Sequence, residues 1–210
     1  MGIAELYVPE ENAAEAALIN ELSVFPVTSL MQLVEHLKTD TPPTLLPTPR
    51  TPFAPTPTEG AFDFKDVRGH ETAKRGLEIA AAGRHNIVLY GPPGTGKTFL
   101  ASAFPGILPP LSFDEAIEAT AIHSVSGSLN GRTLIEHPPF RSPHHTSSYV
   151  ALVGGGQIPR PGEVTLAHKG VLFLDEFPEF DRRAIDALRE PLENRVVSVS
   201  RAKGSVSFPA

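Results

Sequence analysis

The sequence predicts an α/β fold of the phosphate-loop NTPase type, a three-layer αβα sheet, from two stretches and their surroundings. The first is Gly91-Pro92-Pro93-Gly94-Thr95-Gly96-Lys97-Thr98, where a glycine, four residues and then Gly-Lys-Thr give the phosphate-loop spacing. The second is Val171-Leu172-Phe173-Leu174-Asp175-Glu176, an apolar run ending in two acids. That pattern describes a buried parallel strand delivering carboxylates at its carboxyl end. A smaller βαβα piece is expected ahead of both, over residues 3–39.

Each part of the loop has a physical role. Glycines let the backbone wrap closely around a polyphosphate, at φ values a side chain would resist. Successive N–H groups then form an anion-binding nest. Lys97 supplies a flexible point charge for the β- and γ-phosphates, and the Thr98 hydroxyl is suited to Mg²⁺. His85–Tyr90 reads as a short buried strand before the loop, and Thr98–Phe104 as the opening of a helix after it. With Thr98 present, Asp175 would complete the Mg²⁺ shell and Glu176 would act as general base on the attacking water. Alone, the two acids would suit a helix N-terminus equally well. Their place about 73 residues beyond the loop favours the catalytic reading.

In chain order, residues 4–8 and 22–27 read as strands and 10–20 as an alanine-rich helix. Thr28 or Ser29 caps a helix over 30–38 with Leu30, Leu33, Val34 and Leu37 on one face. Residues 39–60 hold seven prolines and seven threonines. That composition predicts a semi-rigid tether over 40–60, reaching roughly 60 Å at about 3.1 Å per residue. Glu71–Ala82 is helical, with Ala73, Leu77, Ala80 and Ala81 in phase and Gly83 as a stop. Ser112 with Glu115 three residues on is a capping box for the next helix. Residues 130–170 should be loops with short elements; they carry His137, His144, His145 and His168. Packing or phosphate-facing roles suit these histidines better than zinc, because no cysteine or helical His pairing supports a metal. Residues 181–194 read as one helix with Ile185, Leu188 and Leu192 inward, and 195–208 as a hairpin turning at Lys203-Gly204.

Composition narrows the possibilities. The chain has 210 residues, no cysteine and a formal charge of −6. Residues 1–60 hold eight acids against Lys38 and Arg50, so the remainder balances at 16 acids and 16 bases. A neutral phosphate-loop part touches nucleic acid only through local patches. Arg201 and Lys203 at the hairpin tip, and Arg160 in a glycine-rich loop, are the candidates. Disulfides are excluded, no membrane span or secretory leader is expected, and a cytoplasmic protein is compatible.

From about Phe62 onward the chain resembles the AAA+ ATPases, specifically the magnesium-chelatase-like ComM/YifB family. The resemblance rests on GPPGTGKT, FRSPHHTSSYVALVGGG (140–156), RPGEVTLAHKGVLFLDEFPEF (160–180) and LREPLE (188–193). Residues 1–39 resemble the end of the Lon-protease-like domain found in that family, leaving 61–210 as the first part of the ATPase domain. The resemblance implies a cytoplasmic homo-hexamer using ATP and Mg²⁺ to drive branch migration of DNA in recombination and natural transformation. It further implies that Asp66, Val67 and Gly69 approach the adenine, and that residues 154–162 form a substrate-facing loop.

A chelatase-type remodeller of a protein partner, serving magnesium insertion into porphyrin, is the second reading. ATP-dependent proteolysis ranks last, since no nucleophile with a base is evident. The resemblance also implies a sensor strand, an arginine finger and a helical lid beyond Ala210, so the chain is expected to be a segment that does not turn over ATP alone. A gap or irregular packing is then expected between residues 86–90 and 171–175.

Overall fold

The computed structural model describes residues 3–19, 21–38, 45–50, 53, 62–129, 131–156, 160–201 and 204–210. The chain divides into two units, Met1–Ala54 and Pro55–Ala210. Most of the Pro/Thr-rich stretch lies outside the described residues.

In the first unit, β1 (Glu5–Pro9) and β2 (Ser23–Val27) pair in parallel, Glu5 opposite Ser23 through Pro9 opposite Val27. The expected 10–20 helix is instead a 3-10 turn, Glu10–Asn12, followed by the four-residue α1 (Ala13–Ala16). Alanines offer little surface to bury, and so short a helix depends on packing rather than on its own bonds. Ala13, Ala17 and Val24 supply that packing. The Ser29 hydroxyl caps α2 (Leu30–His36) by accepting from the Gln32 N–H. Leu30, Val34 and Leu37 do share a face, but they are exposed, because none of the described residues of this unit covers them.

The second unit opens with a 3-10 turn, Phe64–Asp66, closed by reciprocal bonds between Asp63 and Asp66. α3 (Glu71–Gly83) follows and stops at Arg84 in the left-handed conformation. Leu77, Ala80 and Ala81 of α3 pack with Leu100 and Ala103 of α4 (Lys97–Ala103), and Phe64 and Val67 join the same cluster. Proline in the 3-10 turn Phe104–Ile107 ends α4.

The capping box forms as the sequence indicates, and it starts α5 (Phe113–Ser126). Ser112 accepts from the Glu115 N–H, while the Glu115 carboxylate accepts from the Ser112 N–H at 3.0 Å. The Ser112 N–H, and then Arg84 at 2.8 Å, hold the Glu115 carboxyl below its usual range.

Residues 85–90 differ from the expected buried strand. They form no strand and have no strand partner among the described residues. Val88 is 88% exposed and Tyr90 fully exposed, while Leu89 alone packs on the α3–α4 cluster. An apolar run becomes a buried strand only when strands flank it, and none does among the described residues. Leu89 and Val171 nevertheless pack against the same α3–α4 cluster.

β3 (Phe140–Arg141) leads to α6 (Tyr149–Val153), capped by Ser148. β4 (Gly154–Gly155) pairs antiparallel with β5 (Arg160–Pro161), and α7 (Glu163–Leu166) follows. β6 (Val171–Leu172) then pairs in parallel with β3, Phe140 opposite Val171 and Arg141 opposite Leu172. The expected strand over 171–175 is thus shorter, and only half-buried. Gly170 makes the pairing possible: a Cβ there would collide with the Pro139 backbone, whose carbonyl accepts from Val171 N–H at 2.8 Å.

The predicted single helix over 181–194 is two, α8 (Arg182–Ala187) and α9 (Arg189–Asn194). Pro191 has no N–H to offer the Ala187 carbonyl four residues back, so the helix breaks between them. The break turns Leu192 outward, 60% exposed, against the expectation that it faces the core. β7 (Val196–Arg201) and β8 (Gly204–Pro209) form the expected hairpin. Val153, Val164, Leu188, Val197 and Val199 bind α6, α7, the α8–α9 junction and the hairpin into one cluster.

Candidate nucleotide site

The loop over 91–96 is held by its own side chains. Thr95 donates to the Pro92 carbonyl at 2.9 Å, and Lys97 Nζ donates to the carbonyls of Gly91 at 3.0 Å and Pro92 at 2.8 Å. Gly94 (φ +76°) and Gly96 (φ +75°) occupy the left-handed region that glycine tolerates. Gly91 does not, and a Cβ there would meet only Thr95 Oγ1 at 3.6 Å. The backbone freedom of glycine is thus required at Gly94 and Gly96 and not at Gly91. Pro93 and Gly94 are exposed at the outer turn.

Two motifs far apart in sequence meet at the base of the loop. The Thr98 hydroxyl, in the first turn of α4, donates to Asp175 Oδ2 at 2.9 Å. Asp175 follows β6 closely, and its other oxygen accepts from the Glu176 N–H at 3.0 Å. A hydroxyl and a carboxylate oxygen side by side are the hard donors Mg²⁺ prefers, so this pair fits that ion. Glu176 itself has φ +53°. A non-glycine residue held there costs on the order of 1–3 kcal/mol, a strain that collects at functional positions.

Asp66, Val67 and Gly69 lie in the turn before α3. Val67 is buried with Leu100 and Ala103, which sets this turn against α4. Asp66 Oδ2 accepts from the Asp63 N–H at 3.3 Å, and Gly69 has φ +71°. No hydrogen bond joins this turn to residues 91–98 among the described residues. Arg160 is exposed at the start of β5. The Arg201 side chain and all of Lys203 lie outside the described residues.

Sequence reasoning missed His145 as part of this site. Its Nδ1 lies 3.0 Å from Glu176 Oε2. The contact lies beyond the two-residue pairing of β3 with β6, so no pattern in the sequence pointed to it. Arg141, in β3, binds Glu163 through two bonds of 2.6 and 2.7 Å. Glu163 raises the Arg141 pKa further, so this cation is fixed on its partner. Among the described residues no His, Asp and Glu cluster could hold a metal by itself, and no helix is long and apolar enough to cross a membrane.

A glycine loop opening α4, tied through Thr98 to the acid after a parallel strand, sets the chain among phosphate-loop, ATP-binding proteins. Sequence comparison gives the family. The model for "Magnesium chelatase, subunit ChlI" matches residues 63–210. A protein named YifB from Salmonella typhimurium is 49% identical over 98% of this chain and 40% of its own length. YifB of Escherichia coli is 56% identical over 70% of this chain and 29% of its own. Competence protein ComM of Haemophilus influenzae is 44% identical over 98% of this chain and 41% of its own. The chain belongs to the magnesium-chelatase-like AAA+ family that includes YifB and ComM. It spans about two fifths of the length of YifB from Salmonella and of ComM.

Proposed function

We propose that this chain carries the ATP-hydrolysing site of a cytoplasmic, homo-hexameric AAA+ motor that works on DNA. The observation that carries the reading is the Thr98–Asp175 contact, which unites the phosphate loop with the acidic strand end across 77 positions of sequence.

The chain's own groups support a division of labour. Lys97, which donates to the Gly91 and Pro92 carbonyls, would turn from them to the β- and γ-phosphates, and the loop's N–H groups would serve the same oxygens. Thr98 and Asp175 would hold Mg²⁺, which when bound neutralises charge on the phosphates. Glu176 accepts a proton from the attacking water. The DNA part of the proposal draws on the similarity to a competence protein and on Arg160, Arg201 and Lys203 as the local basic groups of an otherwise balanced unit.

The experiment is ATP turnover by the intact protein with branched DNA, casein, or a porphyrin-chelatase partner added in turn. Stimulation by branched DNA alone supports the proposal. Stimulation by the chelatase partner alone overturns the DNA assignment, and absence of turnover under every condition overturns the ATPase assignment.

A further inference from the structure

Glu176 reaches solvent with 63% of its side-chain surface, and its one side-chain partner among the described residues is His145. The His145 ring is itself well supported. It lies against His144 with ring centres 4.1 Å apart and meets the edge of Phe180 at 6.5 Å. His144 Nδ1 is fixed in turn by the Thr146 hydroxyl at 2.9 Å and accepts from the Thr146 N–H at 3.3 Å. Phe180 is buried with Leu152 and Ala184. His145 follows β3 and Glu176 follows β6, and the ring meets the Glu176 carboxylate just past the end of that pairing.

We propose that His145 is a positioning residue for Glu176: its Nδ1–H donates to Oε2 and holds the carboxylate so that Oε1 receives the proton of the attacking water. The inference rests on the reading of Glu176 as general base. An ionised carboxylate only accepts hydrogen bonds, so the ring nitrogen facing it carries the hydrogen. A long, exposed side chain free to rotate spends little time in one geometry, and general-base catalysis needs the acceptor fixed within hydrogen-bond reach. The bond to Oε2 leaves the other oxygen unoccupied, and it persists while Oε1 takes up the proton.

In the intact protein, His145→Ala is expected to lower kcat about 10–100-fold while ATP affinity stays within about twofold, since it displaces the base without touching the phosphates. His145→Asn, which keeps an N–H near the position of Nδ1, is expected to recover a large part of kcat. In a Glu176→Gln background, His145→Ala is expected to have no further effect, because the two act through one group. Ring ¹⁵N shifts are expected to show His145 mainly as the Nδ1–H tautomer. Wild-type kcat in His145→Ala overturns the inference, as does an equal loss of kcat in both backgrounds, or an Nε2–H tautomer. Turnover that depends on Glu176 but not on His145 defeats this inference alone. Turnover independent of Glu176 defeats the general-base reading with it.

Discussion

The Thr98 hydroxyl donates directly to Asp175 Oδ2 across 2.9 Å, joining the first turn of α4 to the residues that follow β6. Thr98 and Asp175 would hold Mg²⁺ at the expense of this hydrogen bond. Thr98→Val and Asp175→Asn are each expected to raise the Mg²⁺ concentration needed for ATP turnover by at least about tenfold. Binding of Mg²⁺-free nucleotide should change little. Equal weakening with and without Mg²⁺, followed by fluorescent-nucleotide titration, would remove the pair from the metal site.

Gly170 and Gly76 should respond to alanine in opposite directions. A Cβ on Gly170 enters the Pro139 backbone where β3 and β6 begin to pair, so Gly170→Ala is expected to cost about 1–3 kcal/mol. Gly76 lies inside α3, and its nearest neighbour for a Cβ is Ile87 Cδ1 at an ordinary 3.8 Å. Gly76→Ala should stabilise by about 0.5–1 kcal/mol. Denaturant midpoints check both, and a neutral Gly170→Ala would argue against this strand pairing.

His123 gives the fold a pH dependence of known sign. It is buried between α5 and α7, with Nε2 3.0 Å from the Leu166 carbonyl and Nδ1 3.1 Å from the Ser128 hydroxyl. Burial pushes its pKa down, Arg141 and Arg132 act in the same sense, and the Leu166 carbonyl and Glu163 oppose them. The unfolded chain thus takes up a proton at higher pH than the folded one. Its contribution to stability is complete above about pH 6.5 and is lost as pH falls through the folded value. Thermal midpoints should drop on acidification, and less steeply in His123→Gln. An identical slope in that variant would assign the effect to other groups.

The DNA assignment has its own readout. Neutralising Arg160, Arg201 and Lys203 together in the intact protein is expected to weaken DNA binding. The slope of log K against log salt should also become shallower, by up to about 0.9 for each phosphate that is no longer neutralised. An unchanged slope would return these residues to ordinary surface charge.

What the sequence made legible was carried by residue identity over short spans. The phosphate loop, the paired acids after an apolar run, the Ser112–Glu115 capping box and the hairpin over 195–208 all depend on near neighbours. What it hid depended on distant partners. Residues 85–90 look like a buried strand, but burial belongs to the flanking elements, and Val88 and Tyr90 have none among the described residues. The β3–β6 pair is two residues long, below what periodicity can detect, and with it went the His145–Glu176 contact. Pro191 was visible, yet its effect four residues upstream at Ala187 divided a helix that the apolar spacing had made continuous.

The central claim is that Lys97 binds the phosphates while Glu176 acts only on the attacking water. The direct test measures ATP affinity and single-turnover hydrolysis in the intact protein for wild type, Lys97→Ala and Glu176→Gln. Lys97→Ala is expected to lose binding. Glu176→Gln is expected to bind ATP as wild type does and to hydrolyse it about 10²–10⁴-fold more slowly. Equal loss of affinity in the two variants, or wild-type turnover in Glu176→Gln, would contradict the account.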